Sequence, residues 1–169
     1  MVYSLLHYPN IDTRGINELR RKYDPQFDLI QPHITLMFPV AEAIGEEEVV
    51  NHLQAVLSDR RPFDIHLQGI IKSLDDYLFL VVDEGRDALA DLHAHIYTGL
   101  LADLHQTALP YIPHVTLGRF VNNENQYAVA FDEAKQLDLN YRCVLDKLHL
   151  LKINDQLTRI LGSREFLLL

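Results

Sequence analysis

Two near-identical pentapeptides dominate this chain: Pro32-His33-Ile34-Thr35-Leu36 and Pro113-His114-Val115-Thr116-Leu117. They differ only by Ile for Val, and each opens an apolar run suited to a strand. Their histidines stand 81 residues apart in a chain of 169. Around each copy the same order of patterns recurs: strand, helix, motif strand, helix, strand. A repeat of element order at about half the chain length predicts an internal duplication. Two like halves pack about a pseudo-two-fold axis, so a residue set carried by each half faces its twin across a central cleft.

The patterns are legible one by one. Val2 to Tyr8 is an apolar and aromatic run stopped by Pro9-Asn10, which predicts a strand and a turn. Asp12 or Thr13 caps a helix to about Tyr23 that carries Ile16, Leu19 and Arg20. Residues 34–40 form the first motif strand. Gly45-Glu46-Glu47-Glu48 opens a helix with acids at its positive end, and Val49, Val50, Leu53, Val56 and Leu57 form its apolar face. Residues 63–67 alternate as a half-buried strand does, and 77–82 form its hairpin partner. Leu89, Leu92, Ile96 and Leu100 fall at helical spacing. Residues 115–121 form the second motif strand. Asn122 or Asn123 caps a helix carrying Ala128, Phe131, Ala134 and Leu137. Residues 141–153 and 157–168 complete a long hairpin around Asn154-Asp155.

Composition excludes several classes. A chain that is 48% hydrophobic and 23% charged is globular rather than disordered, and its length suits one domain or two small lobes sharing a core. The formal net charge of −9 argues against broad binding to long nucleic acid, which needs a basic footprint. A small phosphorylated ligand held by a few local donors remains compatible with it. The basic run Arg20-Arg21-Lys22 and the pair Arg60-Arg61 read as solvated helix ends. The one cysteine, Cys143, makes no intramolecular disulfide and no cysteine-based metal site. The N-terminus lacks the basic region of a signal peptide, and no run approaches the roughly 18 apolar residues of a membrane span. A cytoplasmic protein is expected.

In a strand, alternate residues share a face. His33 and Thr35 therefore point one way while Ile34 and Leu36 point the other, and His114 and Thr116 do the same against Val115 and Leu117. Each copy offers one imidazole and one hydroxyl on a rigid strand. Two such pairs facing each other suit phosphoryl chemistry without a metal. One imidazole takes a proton from water or a hydroxyl, and the other protonates the departing oxygen. The threonine hydroxyls donate to the non-bridging oxygens, where charge accumulates. Arg119 would add a cation to the phosphate if the strand bends, because strict alternation turns it away from Thr116. Tyr8, Phe38, Tyr111 and Phe120 are candidates for stacking a base.

The paired Pro-His-x-Thr-Leu motifs resemble the 2H phosphoesterase superfamily, which includes the 2′-5′ RNA ligase-like proteins and cyclic phosphodiesterases. Arg21-Lys22-Tyr23-Asp24-Pro25 ahead of Pro32-His33-Ile34-Thr35-Leu36-Met37-Phe38-Pro39 is similar to a bacterial-type branch of it. The resemblance covers nearly the whole chain in element order, and the motifs are its specific part. It implies an α+β fold of two lobes, with a mainly antiparallel sheet in each, helices outside and both motifs lining the cleft. The chain is then a single domain, 1–169, of two interleaved lobes with repeat units of about 1–75 and 76–169. The resemblance also implies that His33, Thr35, His114 and Thr116 hold the scissile phosphate, with no cofactor and no metal. The implied partners are a small phosphorylated nucleotide or a short RNA end: a 2′,3′-cyclic phosphate, a 2′-5′ linked oligonucleotide or ADP-ribose cyclic phosphate. Membrane binding is not expected.

The other histidines read as structural or surface groups. His93 and His95 diverge on a helix, His105 lies near that helix's end, His66 and His149 sit in strands, and His52 sits in a helix. His7 ends the first strand, within reach of the cleft. No zinc spacing, phosphate-cradling glycine loop or nucleophile elbow appears. Three functions stand beside the phosphodiesterase: a 2′-5′ RNA ligase running the same step backwards, a nucleotide or RNA-phosphate binding module without turnover, and a metallohydrolase with His33 and His114 as ligands. Which imidazole is acid and which is base stays open at this level, as does the oligomeric state.

Overall fold

The computed structural model describes residues 1–41, 44–108 and 110–169. The chain runs β1 (Val2–His7), α1 (Arg14–Tyr23), β2 (Ile34–Ala41), α2 (Glu46–Leu57), β3 (Phe63–Lys72), β4 (Tyr77–Val82), α3 (Arg86–Ile96), β5 (His114–Arg119), α4 (Glu124–Gln136), β6 (Asn140–Leu145), β7 (Lys147–Ile153) and β8 (Ile160–Leu167). Local chemistry accounts for several of the helix boundaries. The Asp12 carboxylate accepts the Arg14 N–H at 3.1 Å ahead of α1, and Pro25 follows its end. The Glu48 carboxylate accepts the Gly45 N–H at 2.9 Å, half of a reciprocal cap, since glycine has no side chain to return the bond. Asn123 caps α4 by accepting the Gln126 N–H at 3.1 Å.

Among the described residues the strands form one antiparallel sheet of order β6-β3-β4-β5-β2-β1-β7-β8. The fold is α+β, and the sheets expected of two lobes are joined into one. The two groups of four strands meet through the motif strands β2 and β5, registered at Ile34 opposite Val115. Helices are exchanged across that junction: α1 packs on β5, and α3 packs on β2. Their apolar stripes, with Ile16, Leu19, Leu89, Leu92 and Ile96, bury against Leu36, Leu80, Val115 and Leu117. A smaller cluster of Leu6, Ile30, Leu151 and Ile153 is separate from this core.

Three expectations need correction. The run 141–153 is not one arm of a hairpin. It divides at Asp146, and β6 pairs with β3 while β7 pairs with β1 and β8. The final segment thereby covers the edges that β3 and β1 would otherwise expose. The helical spacing through Leu100 breaks at Ile96. A 3-10 turn over Gly99–Leu104 follows, which buries Leu101 and leaves Leu100 at 41% exposure. In α4, Ala130 rather than Ala128 joins Ala134 in the core. Among the described residues no helix is long and apolar enough to cross a membrane.

Candidate active site

His33 stands just before β2 and His114 is the first residue of β5, each behind a proline. The antiparallel register around Ile34 and Val115 sets His33 opposite Thr116 and Thr35 opposite His114, all on one face. Each imidazole is thus beside the other motif's hydroxyl. The two imidazoles are on diagonally neighbouring positions, whose backbones stand about 7–8 Å apart, and both rings line the same cleft.

Both rings are oriented in the same way. His33 Nδ1 bonds the Gln31 carbonyl at 2.8 Å, and His114 Nδ1 bonds the Ile112 carbonyl at 2.5 Å. A carbonyl only accepts, so each Nδ1 carries the proton and each Nε2 is left for chemistry. Burial lowers the pKa of His33 below its ordinary value. The Gln31 carbonyl and Asp24 push it up, and Arg20 pushes it down. Burial pushes His114 down to about 4, with its proximity to His33 acting in the same direction. The face of Phe79 covers the His114 ring at 3.5 Å, whereas Tyr8 meets His33 only edge-on at 6.4 Å. The twins therefore share geometry but not environment.

The ladder slips one residue past each threonine. Thr116 faces Phe79 but Gly118 faces Leu78, so Leu117 is an extra residue. Thr35 faces Leu6 but Met37 faces Leu5, so Leu36 is its counterpart. These are β-bulges, which re-aim the side chains beyond them. The bulge at Leu117 returns Arg119 to the side of Thr116, where its guanidinium lies 5.2 Å from the Tyr77 ring. The bulge at Leu36 brings Phe38 to the matching place, 42% exposed. Side chains from the α3–β5 region satisfy the backbone around this bulge. Tyr111 donates its hydroxyl proton to Thr35 O at 2.7 Å, His93 donates from Nδ1 to Leu36 O at 2.7 Å, and the Phe38 N–H donates to Tyr97 Oη at 2.9 Å.

His33, Thr35, His114, Thr116, Arg119, Phe38 and Tyr111 all line one cleft of about 980 Å³, within the size range of small-molecule sites. Phe120 does not. It is 2% exposed and packs between Tyr23 and Tyr127, because β5 has ended and the bulge has changed the phase. His7 also points away from the cleft, bonding Lys147 O through Nδ1 at 2.9 Å. Arg20 overturns its reading as a solvated helix end: it is 2% exposed and paired with Asp24, while Arg21 and Lys22 stay at the surface. His93 and His105 line the cleft unforeseen. A signal existed for His93, which lies four residues after Leu89 and three before Ile96, on the buried stripe. Ser73, Asp75 and Tyr77 also line the cleft, and their turn pattern gave no hint of it. Among the described residues no group of three or more His, Cys, Asp or Glu could hold a metal ion.

The family model described as the 2′-5′ RNA ligase superfamily matches residues 8–157. The chain belongs to that superfamily. A Bacillus cereus protein that is a phosphoesterase by name is 31% identical over 139 residues, covering 80% of this chain and 78% of its own. A Bacillus licheniformis protein of similar name is 27% identical over 157 residues, covering 89% of each chain. Among solved structures, Escherichia coli LigT complexed with NADP+ matches with a TM-score of 0.58 at 17% identity over 99% of both chains. Kluyveromyces marxianus Usb1 matches with a TM-score of 0.53 at 14% identity, covering 99% of this chain and 98% of its own. The two structures share this chain's fold, and the two sequence relatives are phosphoesterases by name.

Proposed function

We propose that this member of the superfamily is a metal-independent phosphodiesterase that opens a small cyclic phosphate or a 2′-5′ linked nucleotide. The observation that supports the reading is the register of β2 and β5, which brings two imidazoles, each held through Nδ1 by a carbonyl, to the wall of one cleft. His114, pushed down to about 4, is neutral near pH 7 and acts as the base. Its Nε2 takes a proton from water as the water oxygen bonds to phosphorus. The bond from phosphorus to the departing ribose oxygen breaks, and His33 Nε2–H protonates that oxygen. The product is a phosphomonoester. Thr35 and Thr116 donate to the non-bridging oxygens, and Arg119 offsets the charge that develops there. Phe38 and Tyr111 flank the base, whereas Tyr8 is not part of the cleft lining and packs against His149. The ligands of solved relatives support a nucleotide: LigT is complexed with NADP+, ATP and 3′-AMP, and Usb1 with uridine monophosphate.

The test is a panel of 2′,3′-cyclic nucleotides, 2′-5′ dinucleotides and ADP-ribose cyclic phosphate, each assayed with excess chelator. Turnover of at least one, undiminished by chelator, is expected. Binding without turnover would make the cleft a phosphate reader, and loss of turnover in chelator would make the histidines metal ligands. Joining of RNA ends is the same ring opening with a terminal hydroxyl as nucleophile in place of water: its oxygen bonds to phosphorus, and the released ribose oxygen takes the proton.

A pH profile follows from the two environments. The base must be deprotonated, so kcat/KM rises as pH climbs through the His114 pKa of about 4. The acid must be protonated, so kcat/KM falls through the His33 pKa, which lies below 6.5. The expected profile is a bell with its maximum on the acid side of pH 6.5. Phe79→Leu opens His114 to water, raises its pKa and moves the acidic limb to higher pH. An acidic limb unmoved by that change would remove His114 from the role of base.

A further inference from the structure

Between α1 and β2 the chain crosses residues 24–33 without regular structure, and His33 sits at the end of that crossing. Its orientation therefore depends on whatever pins the loop. The main pin is a buried ion pair. Arg20 Nε meets Asp24 Oδ2 at 2.7 Å, and the two side chains are 2% and 7% exposed. The same guanidinium donates from Nη2 to Ile30 O at 2.7 Å. The next carbonyl, that of Gln31, is the one that orients the His33 ring. Asp24 also accepts the Gln26 N–H at 2.9 Å, so both ends of the loop are tied to one pair. Arg20 and Asp24 both reach the cleft wall.

We propose that the Arg20–Asp24 pair is a positioning element for His33, holding its ring opposite Thr116 and setting the charges that face it. This rests on the reading of His33 as a proton-transfer group. A buried pair is a poor way to stabilise a fold, because desolvation offsets most of the attraction and apolar residues of similar volume often serve as well. What the pair supplies here is geometry, through a guanidinium fork that reaches a carboxylate and a carbonyl together. It also distinguishes the twins. His33 is faced by Arg20 and Asp24 from the end of α1, by Tyr8 just after β1 and by His114 from β5. His114 has the Phe79 ring against it instead, with Asp75 the acid acting on it.

Two variants test this. Arg20→Met/Asp24→Leu removes both charges together and leaves no orphaned ion, so the fold survives while the link to Ile30 O is lost. Asp24→Asn keeps the shape and leaves Arg20 unneutralised. Each is measured for kcat and KM on a cyclic phosphate that the wild type turns over, for unfolding midpoint, and for the titration of the His33 ring by NMR. The double variant is expected to melt near the wild-type midpoint with kcat lowered about 10- to 100-fold, the scale of a small misplacement of a reacting group, and with little change in KM. In Asp24→Asn, His33 titrates at lower pH, because the remaining guanidinium disfavours the imidazolium. A folded double variant with wild-type kcat, or His33 titrations unmoved in both variants, would overturn the proposal. The titration decides even if no cyclic phosphate is turned over, so failure of the positioning role is separable from failure of the phosphodiesterase reading.

Discussion

Alanine in place of His33 or His114 lowers turnover of a cyclic phosphate by about 100-fold or more, the typical contribution of a positioned acid or base. Each Nδ1 is committed to a carbonyl two residues upstream, so each Nε2 is the sole atom through which its ring can move a proton. The double variant is expected to lose scarcely more than either single one, since acid and base act in one step and their effects do not add. Thr35→Val and Thr116→Val cost about 10- to 100-fold each, by loss of one phosphate donor apiece. Glutamine at either histidine separates binding from catalysis: it keeps a hydrogen bond to phosphate but moves no proton, so KM holds while kcat collapses. Steady-state kinetics on purified variants with unchanged unfolding midpoints supply the measurement. Near wild-type turnover in either alanine variant would reject the assignment.

The parts of this molecule legible in its sequence are those set by short-range periodicity. Alternation in Pro-His-x-Thr-Leu put His33 with Thr35 and His114 with Thr116, and in both strands the exposure follows that alternation. The order of strands and helices was equally readable as far as α4, apart from the turn after Ile96. Pairing partners were not, because nothing local in residues 140–153 says that β6 joins β3 while β7 joins β1. The place of Arg119 turned on a bulge at Leu117, and a bulge arises from the match between two strands rather than from either one alone. Arg20 misled for a related reason. A cation in the last turn of a helix is normally solvated, but Asp24 folds back onto Arg20 and the return of the chain at Ile30 adds a buried carbonyl. The exchange of α1 onto β5 and α3 onto β2 places both exceptions beside the motif strands, where tertiary contacts outweigh local pattern.

That exchange makes Gly118 a sensitive position. A methyl group there would lie 2.6 Å from Tyr23 Cβ and 2.9 Å from the end of the Phe120 ring. Phe120 can turn, but a Cβ is fixed to its helix, so Gly118→Ala forces α1 away from β5. Overpacking of this kind typically costs about 1–3 kcal/mol, seen as a lower denaturant midpoint with an unchanged slope. The displacement also reaches function, since the turn of α1 that carries Tyr23 carries Arg20 and leads into Asp24. Turnover is expected to fall about 10-fold or more in the fully folded variant, through motion of roughly an ångström at the reacting groups. Gly162→Ala is the control: a Cβ there meets nothing within 4 Å, and both stability and turnover should match the wild type. If Gly118→Ala is destabilised yet fully active, the contact between α1 and β5 supports the fold without governing the cleft. If it is neither destabilised nor impaired, α1 does not lie against the bulge as described.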